Sequence, residues 1–301
     1  MDDWLKFVYD NYTRASGFNE YWYAFENYLD ATLPHTIEMD NFRKRLAQFE
    51  DRIKQDGVQE AFFRTVYSLS SVRHLAELQP RIFRERNRDA SAHDAFASDY
   101  SRFARGEKPR EPLARILNLL YTVRCNAQHG QKILPNEWDE IRVRNQLVFS
   151  LTMPVIAKID ELLITFYLAA GILAYGTLQE AALEQRFGGR IARVDGFHIK
   201  GHLYHMGEFP AWRYQTWGRV HGCILQAPLT SRLHFLHFCD EVEGSQFQRR
   251  LVLAYDENGN AKHIVWAYHC CEEPQGARRI EDGVWRGSNS GVQPTAEKRG
   301  G

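Results

Sequence analysis

Apolar and aromatic positions recur at three- to four-residue intervals through the first half of the chain. In the second half they gather into short runs between turn residues. The first half is therefore predicted to be helical. From Asp2 to about Leu33, Trp4, Phe7, Val8 and Tyr12, then Tyr21, Phe25 and Tyr28, mark two helices divided at Ser16-Gly17. A longer helical stretch begins near Asp40, breaks at Asp56-Gly57 and resumes to about Leu78. Residues 84–110 are polar, with few large aliphatics, and read mostly as a loop or an exposed helix. Leu113, Ile116, Leu117 and Leu120 then share one helical face, and Gly130 stands where a C-terminal cap belongs. The last helix, about Glu137 to Tyr167, carries Ile141, Val148, Leu151, Val155, Ile159, Leu162 and Phe166 on one stripe. Asn136 is its candidate N-cap, and Pro154 should kink it. These two helices are expected to pair as an antiparallel hairpin joined by Gln131 to Pro135.

The second half opens at Ile172-Leu173-Ala174-Tyr175-Gly176-Thr177-Leu178. This apolar run stops at a glycine between two hydroxyl-bearing residues. A strand ending there would turn tightly and expose backbone N–H groups that can hold an anion, since glycine admits positive φ and close approach. Gln179 to Phe187 has helical character and ends at Gly188-Gly189. Strand-like runs follow at 190–194, 196–203, 219–226, 248–255 and 263–271, and Asp256-Glu257-Asn258-Gly259-Asn260 is a hairpin signal. Pro228 to Phe238 reads as a helix whose end delivers Cys239-Asp240-Glu241-Val242-Glu243-Gly244. The pattern predicts a multidomain chain: an all-α bundle over 1–168, an α+β domain built as a partly closed small barrel over 169–285, and a disordered tail over 286–301.

Composition narrows the function classes. The chain has 301 residues, which suggests two domains, and its 44% hydrophobic and 25% charged content is ordinary for a globular protein. Formal net charge is +0, so nothing in bulk draws nucleic acid or an anionic membrane, and RNA would need a local basic patch. The N-terminus has no apolar core of a secretory signal, and the most apolar run, Leu162 to Gly176, is shorter than the ~18 residues of a span. Five cysteines without a CxxC pair fit reduced thiols better than disulfides or a zinc site. The expectation is a cytoplasmic protein without membrane attachment.

Two regions carry candidate chemistry. Tyr121-Thr122-Val123-Arg124-Cys125-Asn126-Ala127-Gln128-His129-Gly130 resembles the motif of the HEPN superfamily, whose ribonuclease members carry Arg, a polar residue and His in this order. The resemblance covers about 20–168. It implies a homodimer through the helical domain, with Arg124 holding a phosphate, and His129, three residues from Asn126, assisting 2′-OH attack on RNA without metal. Read from the residues alone, Arg and His near a helix C-terminus can simply satisfy terminal carbonyls.

Further on, five segments fall in register: Tyr175-Gly176-Thr177-Leu178, then 201–211, Val220-His221-Gly222, Asp240 to Gly244 with Phe247-Gln248-Arg249, and Val265-Trp266-Ala267-Tyr268. Together they resemble the γ-glutamylcyclotransferase fold, in its γ-glutamylamine cyclotransferase-like branch. The resemblance implies that Tyr175, Gly176, Thr177 and Leu178 bind a small γ-glutamyl substrate, that Glu243 is the general base, and that Tyr268 walls or hydrogen-bonds the substrate. Glu241 competes for the role of base. Thr177 replaces the commoner Ser, and Phe247 stands where the family often has Tyr. The expected reaction is cyclisation of a γ-glutamyl amide to 5-oxoproline with release of an amine or amino acid and no cofactor. The alternative is a HEPN-type ribonuclease or RNA-binding module with a regulatory C-terminal domain. His198, His202, His205 and His221 lie in a strand-and-turn context in which alternate residues face opposite sides, so no metal is expected. Tyr204, Phe209 and Trp212 read as packing.

Overall fold

The computed structural model describes residues 3–32, 42–79, 91–129, 138–176, 178, 187, 190–272 and 276–287. Gly130, Gln131 to Pro135, Asn136, Thr177, most of the 179–187 helix and residues 288–301 of the expected tail lie outside them. The chain divides into two compact units, Asp2–Tyr167 and Leu168–Gly301.

The first unit is helical: α1 (Asp3–Arg14), α2 (Phe18–Thr32), α3 (Phe42–Gln55), α4 (Gln59–Tyr67), α5 (Ser70–Glu77), α6 (Ser91–Ala104), α7 (Pro112–His129) and α8 (Trp138–Leu163). Its core is aromatic. Phe25 meets Phe49 at 6.1 Å, Phe49 meets Phe62 at 5.9 Å, and Phe62 stacks on Phe166 at 6.3 Å. Such edge-to-face and offset contacts are each worth about 0.5–1.5 kcal/mol beyond area burial.

Residues 84–110, expected to be loop or exposed helix, instead contain a helix with a buried face. In α6, Phe96 is fully buried and Asp99 is buried with it. The Asp99 carboxylate accepts the Glu111 N–H at 3.1 Å and the Arg110 N–H at 3.4 Å, satisfying donors at the start of α7. That task keeps a polar-looking segment inside the bundle. Pro154 lies inside α8, where it removes one backbone donor. Among the described residues, no helix is long and apolar enough to cross a membrane.

A π-helical turn (Ile164–Leu168) follows α8, and the second unit continues with β1 (Ala169–Ala174), β2 (Ala192–Lys200), β3 (His202–His205), β4 (Pro210–Arg213), β5 (Arg219–Gln226), α9 (Arg232–Glu243), β6 (Phe247–Tyr255), β7 (Ala261–Cys270) and β8 (Arg278–Ile280). β1, β5, β2, β6 and β7 form a closed barrel, where the sequence suggested a partly closed one. β4, β3 and β8 form a separate sheet. Closure comes from β1, which runs antiparallel to β5 and parallel to β7. The runs 190–194 and 196–203 are not two strands divided at Gly196. They merge into β2 through a register shift between Val194 and Phe197, and the break falls at Gly201. Leu173, Ile199, Val220, Ile224, Val252 and Val265 fill the core with Trp212 and Tyr175.

The helix expected over 228–238 runs five residues further, to Glu243. Phe235, Leu236 and Cys239 are its buried side chains. Gly244 ends it with φ of 68°, its N–H donating to the Asp240 carbonyl at 3.0 Å, a positive-φ conformation that glycine adopts without strain.

Candidate active site

One end of the barrel holds a cavity of about 560 Å³, lined by residues 173–176, Leu178, the β3–β4 turn at Phe209 and Pro210, residues 242–247 and Tyr268. Tyr175, Gly176, Leu178, Glu243 and Tyr268 thus share one cavity, although up to 93 positions separate them in the chain. Thr177 lies outside the described residues. Glu241 is exposed and absent from the lining, so Glu243 is the acid of this pair that faces the cavity.

Glu243 reaches the cavity because α9 ends on it. Burial pushes its carboxyl up from the usual 4.5 to about 7. Among the described residues its carboxylate has no hydrogen-bond or ion-pair partner to offset that desolvation. The C-terminal end of a helix carries partial negative charge, which disfavours a carboxylate there in the same direction.

Below the acid lies a chain of polar contacts. Tyr175, 5% exposed, packs its ring edge on Trp212 at 6.4 Å, and its hydroxyl donates to the Tyr268 carbonyl. Burial, and then the charge of Glu243, pushes the Tyr175 phenol up, so it stays protonated as a donor. The Tyr268 hydroxyl donates to Asp240 Oδ1 at 2.7 Å, and Asp240 Oδ2 pairs with the guanidinium of Arg249. Arg249 faces Tyr268 across β6–β7 and lies 5.1 Å from the Trp266 ring centre. Asp240 precedes Glu243 by three positions on α9, so this network anchors the helix face that presents the acid. Tyr268 therefore contributes a wall with its hydroxyl already engaged, and sequence reasoning missed the Asp240–Arg249 anchor.

Of the two freedoms glycine offers, Gly176 does not use positive φ. What requires glycine is Pro210: a Cβ at Gly176 would lie 2.6 Å from Pro210 Cγ. The loop and the β3–β4 turn therefore touch directly and form one continuous wall.

In the helical unit, α7 carries the Arg-Cys-Asn string. The Arg124 guanidinium lies 3.6 Å from Glu26. The side chains of Asn126 and His129 lie outside the described residues. Among the described residues, no three His, Cys, Asp or Glu converge to hold a metal.

No family model and no curated protein matches the chain. Among solved structures it resembles YkqA from Bacillus subtilis, with 19% identity, 39% of this chain and 40% of that one covered, and a TM-score of 0.31. It also resembles At5g39720.1 from Arabidopsis thaliana (22% identity, 38% and 75% covered, TM-score 0.30). A third is PH0828 from Pyrococcus horikoshii (20% identity, 38% and 86% covered, TM-score 0.28). The chain spans about two fifths of the length of the first of these. Likenesses of this strength carry no functional assignment.

Proposed function

We propose that the barrel unit is a γ-glutamylcyclotransferase-like enzyme that cyclises a γ-glutamyl amide to 5-oxoproline, with Glu243 as general base. The observation that carries this reading is a carboxylate without a partner among the described residues, poised near neutrality on a cavity that the Tyr175-Gly176 turn also lines. The five-segment resemblance supports it.

Glu243 takes a proton from the substrate's α-ammonium group. The freed amine attacks the γ-carbonyl carbon, and the new C–N bond closes the lactam. The tetrahedral oxyanion is steadied by backbone N–H groups of the turn that begins at Tyr175-Gly176. Glu243 passes that proton to the departing nitrogen as collapse breaks the original amide C–N bond. The second proton, left on the new ring nitrogen by the attack, goes through the freed carboxylate to the released amine, which leaves as an ammonium ion, so the acid ends as it began. A carboxyl near 7 suits both transfers at neutral pH. Because attack is intramolecular, holding amine against carbonyl supplies much of the acceleration.

The test is 5-oxoproline release by the full chain from γ-glutamyl amides, lost in Glu243→Gln. RNA cleavage lost in His129→Ala but kept in Glu243→Gln would move the activity to α7 instead.

A further inference from the structure

A cluster of positive charge stands outside the cavity of Glu243. Across β6–β7, Arg250 pairs with Ala267 and Gln248 with His269, so Arg250 and His269 are diagonal neighbours on one face of the sheet. Val252, Val265 and Ala267 on that face belong to the barrel core. Trp212 of β4 stands perpendicular to the His269 ring at 5.4 Å. Arg213 follows Trp212, and its Nη1 donates to the carbonyls of Cys270 at 2.9 Å, Cys271 at 3.3 Å and Glu272 at 3.4 Å. Both arginines therefore flank the end of β7 at His269. None of the three lines the cavity.

Each group is held in place with donors to spare. The Arg250 guanidinium lies over the Tyr214 ring, 4.3 Å from its centre, so stacking occupies its face and leaves its N–H edge open. The three carbonyls engage only Nη1 of Arg213, leaving Nε and Nη2. Among the described residues neither guanidinium has an ion-pair partner, and the carboxylate of exposed Glu272 forms no ion pair either. Burial, and then the charges of Arg213 and Arg250, push the His269 imidazole down to about 4. At neutral pH the ring is uncharged and keeps one N–H to donate. Its nitrogens have no hydrogen-bond partner among the described residues.

Two uncompensated positive charges set close together repel, and a doubly charged oxyanion relieves both. Guanidinium edges match phosphate oxygens bidentately, and charge-assisted bonds of this kind are the strong ones. A monocarboxylate brings half the charge.

We infer that Arg213, Arg250 and His269 form a binding site for a phosphate group, taken as the free ion or as a small ester. The site is independent of the chemistry assigned to Glu243.

The probes are inorganic phosphate and glycerol phosphate, titrated into the full chain at fixed ionic strength, with acetate as the singly charged control. Calorimetry and the His269 ring resonances in NMR read the binding. At least one phosphate probe should bind saturably, about tenfold or more tighter than acetate, and the His269 resonances should shift with the same midpoint. Arg250→Gln, at an exposed position, should weaken that binding about tenfold or more. Arg193→Gln removes a guanidinium already paired with Asp195 and should leave it unchanged. The tighter of the two probes tells whether the site takes the free ion or an ester, and either result supports the inference. Acetate binding as tightly as both, His269 resonances that stay still, or an affinity unmoved in folded Arg250→Gln overturns it.

Discussion

Two carboxylic acids, one in each unit, start from the same physics and end with different prospects. Asp160 of α8 is 4% exposed and Glu243 of α9 is half-buried, and burial lifts both above the ordinary carboxyl range. Asp160 Oδ2 has no partner among the described residues. Its charge adds to burial in pushing up the Tyr21 phenol. Glu243 faces a cavity with room for a ligand. Desolvation alone therefore does not make a catalyst. A raised carboxyl becomes useful where a solute can bring it a proton and carry one away.

The sharpest way to break this contrast is substitution of each acid. Glu243→Gln should lower 5-oxoproline formation by about 10²–10⁴-fold, the usual worth of a general base, whereas Asp160→Asn should keep parental turnover. Comparable loss in both would erase the distinction.

Stability gives the next largest effect, and its sign follows from linkage. The unfolded chain releases the Glu243 proton near 4.5, and the folded chain keeps it to about 7. Between these values the folded state binds more protons, so rising pH destabilises it, and the penalty is complete above about 7. Glu243→Gln carries no such penalty. Denaturant melts should find it more stable than the parent by up to about 3 kcal/mol near pH 8, with the gap closing below about pH 4.

Smaller effects probe the walls. Gly176→Ala pushes a methyl group into Pro210, and overpacking of this kind costs about 1–3 kcal/mol, read as a lower denaturation midpoint. Tyr268→Phe removes the hydroxyl bond to Asp240 and should cost about 1 kcal/mol by the same melts. Its turnover should fall far less than in Glu243→Gln, because the hydroxyl serves the helix anchor.

The sequence made some of this legible and hid the rest for identifiable reasons. Helices with a clean apolar stripe, such as α7 with Leu113, Ile116, Leu117 and Leu120, announce themselves by spacing. In α6, Ser91-Ala92-His93-Asp94-Ala95-Phe96 hides a buried face, because a single Phe and a capping Asp99 do the work that a stripe of leucines does elsewhere. β4 and β8 are four and three residues long, too short for a period of two to register. At the cavity, the Tyr175 turn and Glu243 could be named from short motifs. Phe209 read as packing, and its place at the rim depends on tertiary contact with Phe247. The Asp240–Tyr268–Arg249 anchor joins a helix to two strands and has no local signature at all.

The pH dependence of kcat/KM for 5-oxoproline release tests the central claim most directly, since it reports the ionisation of the free enzyme's base. Activity should rise with pH as a single deprotonation with its midpoint near 7, and Glu243→Gln should leave no such limb. A profile flat across that region, or one that persists in Glu243→Gln, would contradict Glu243 as the base.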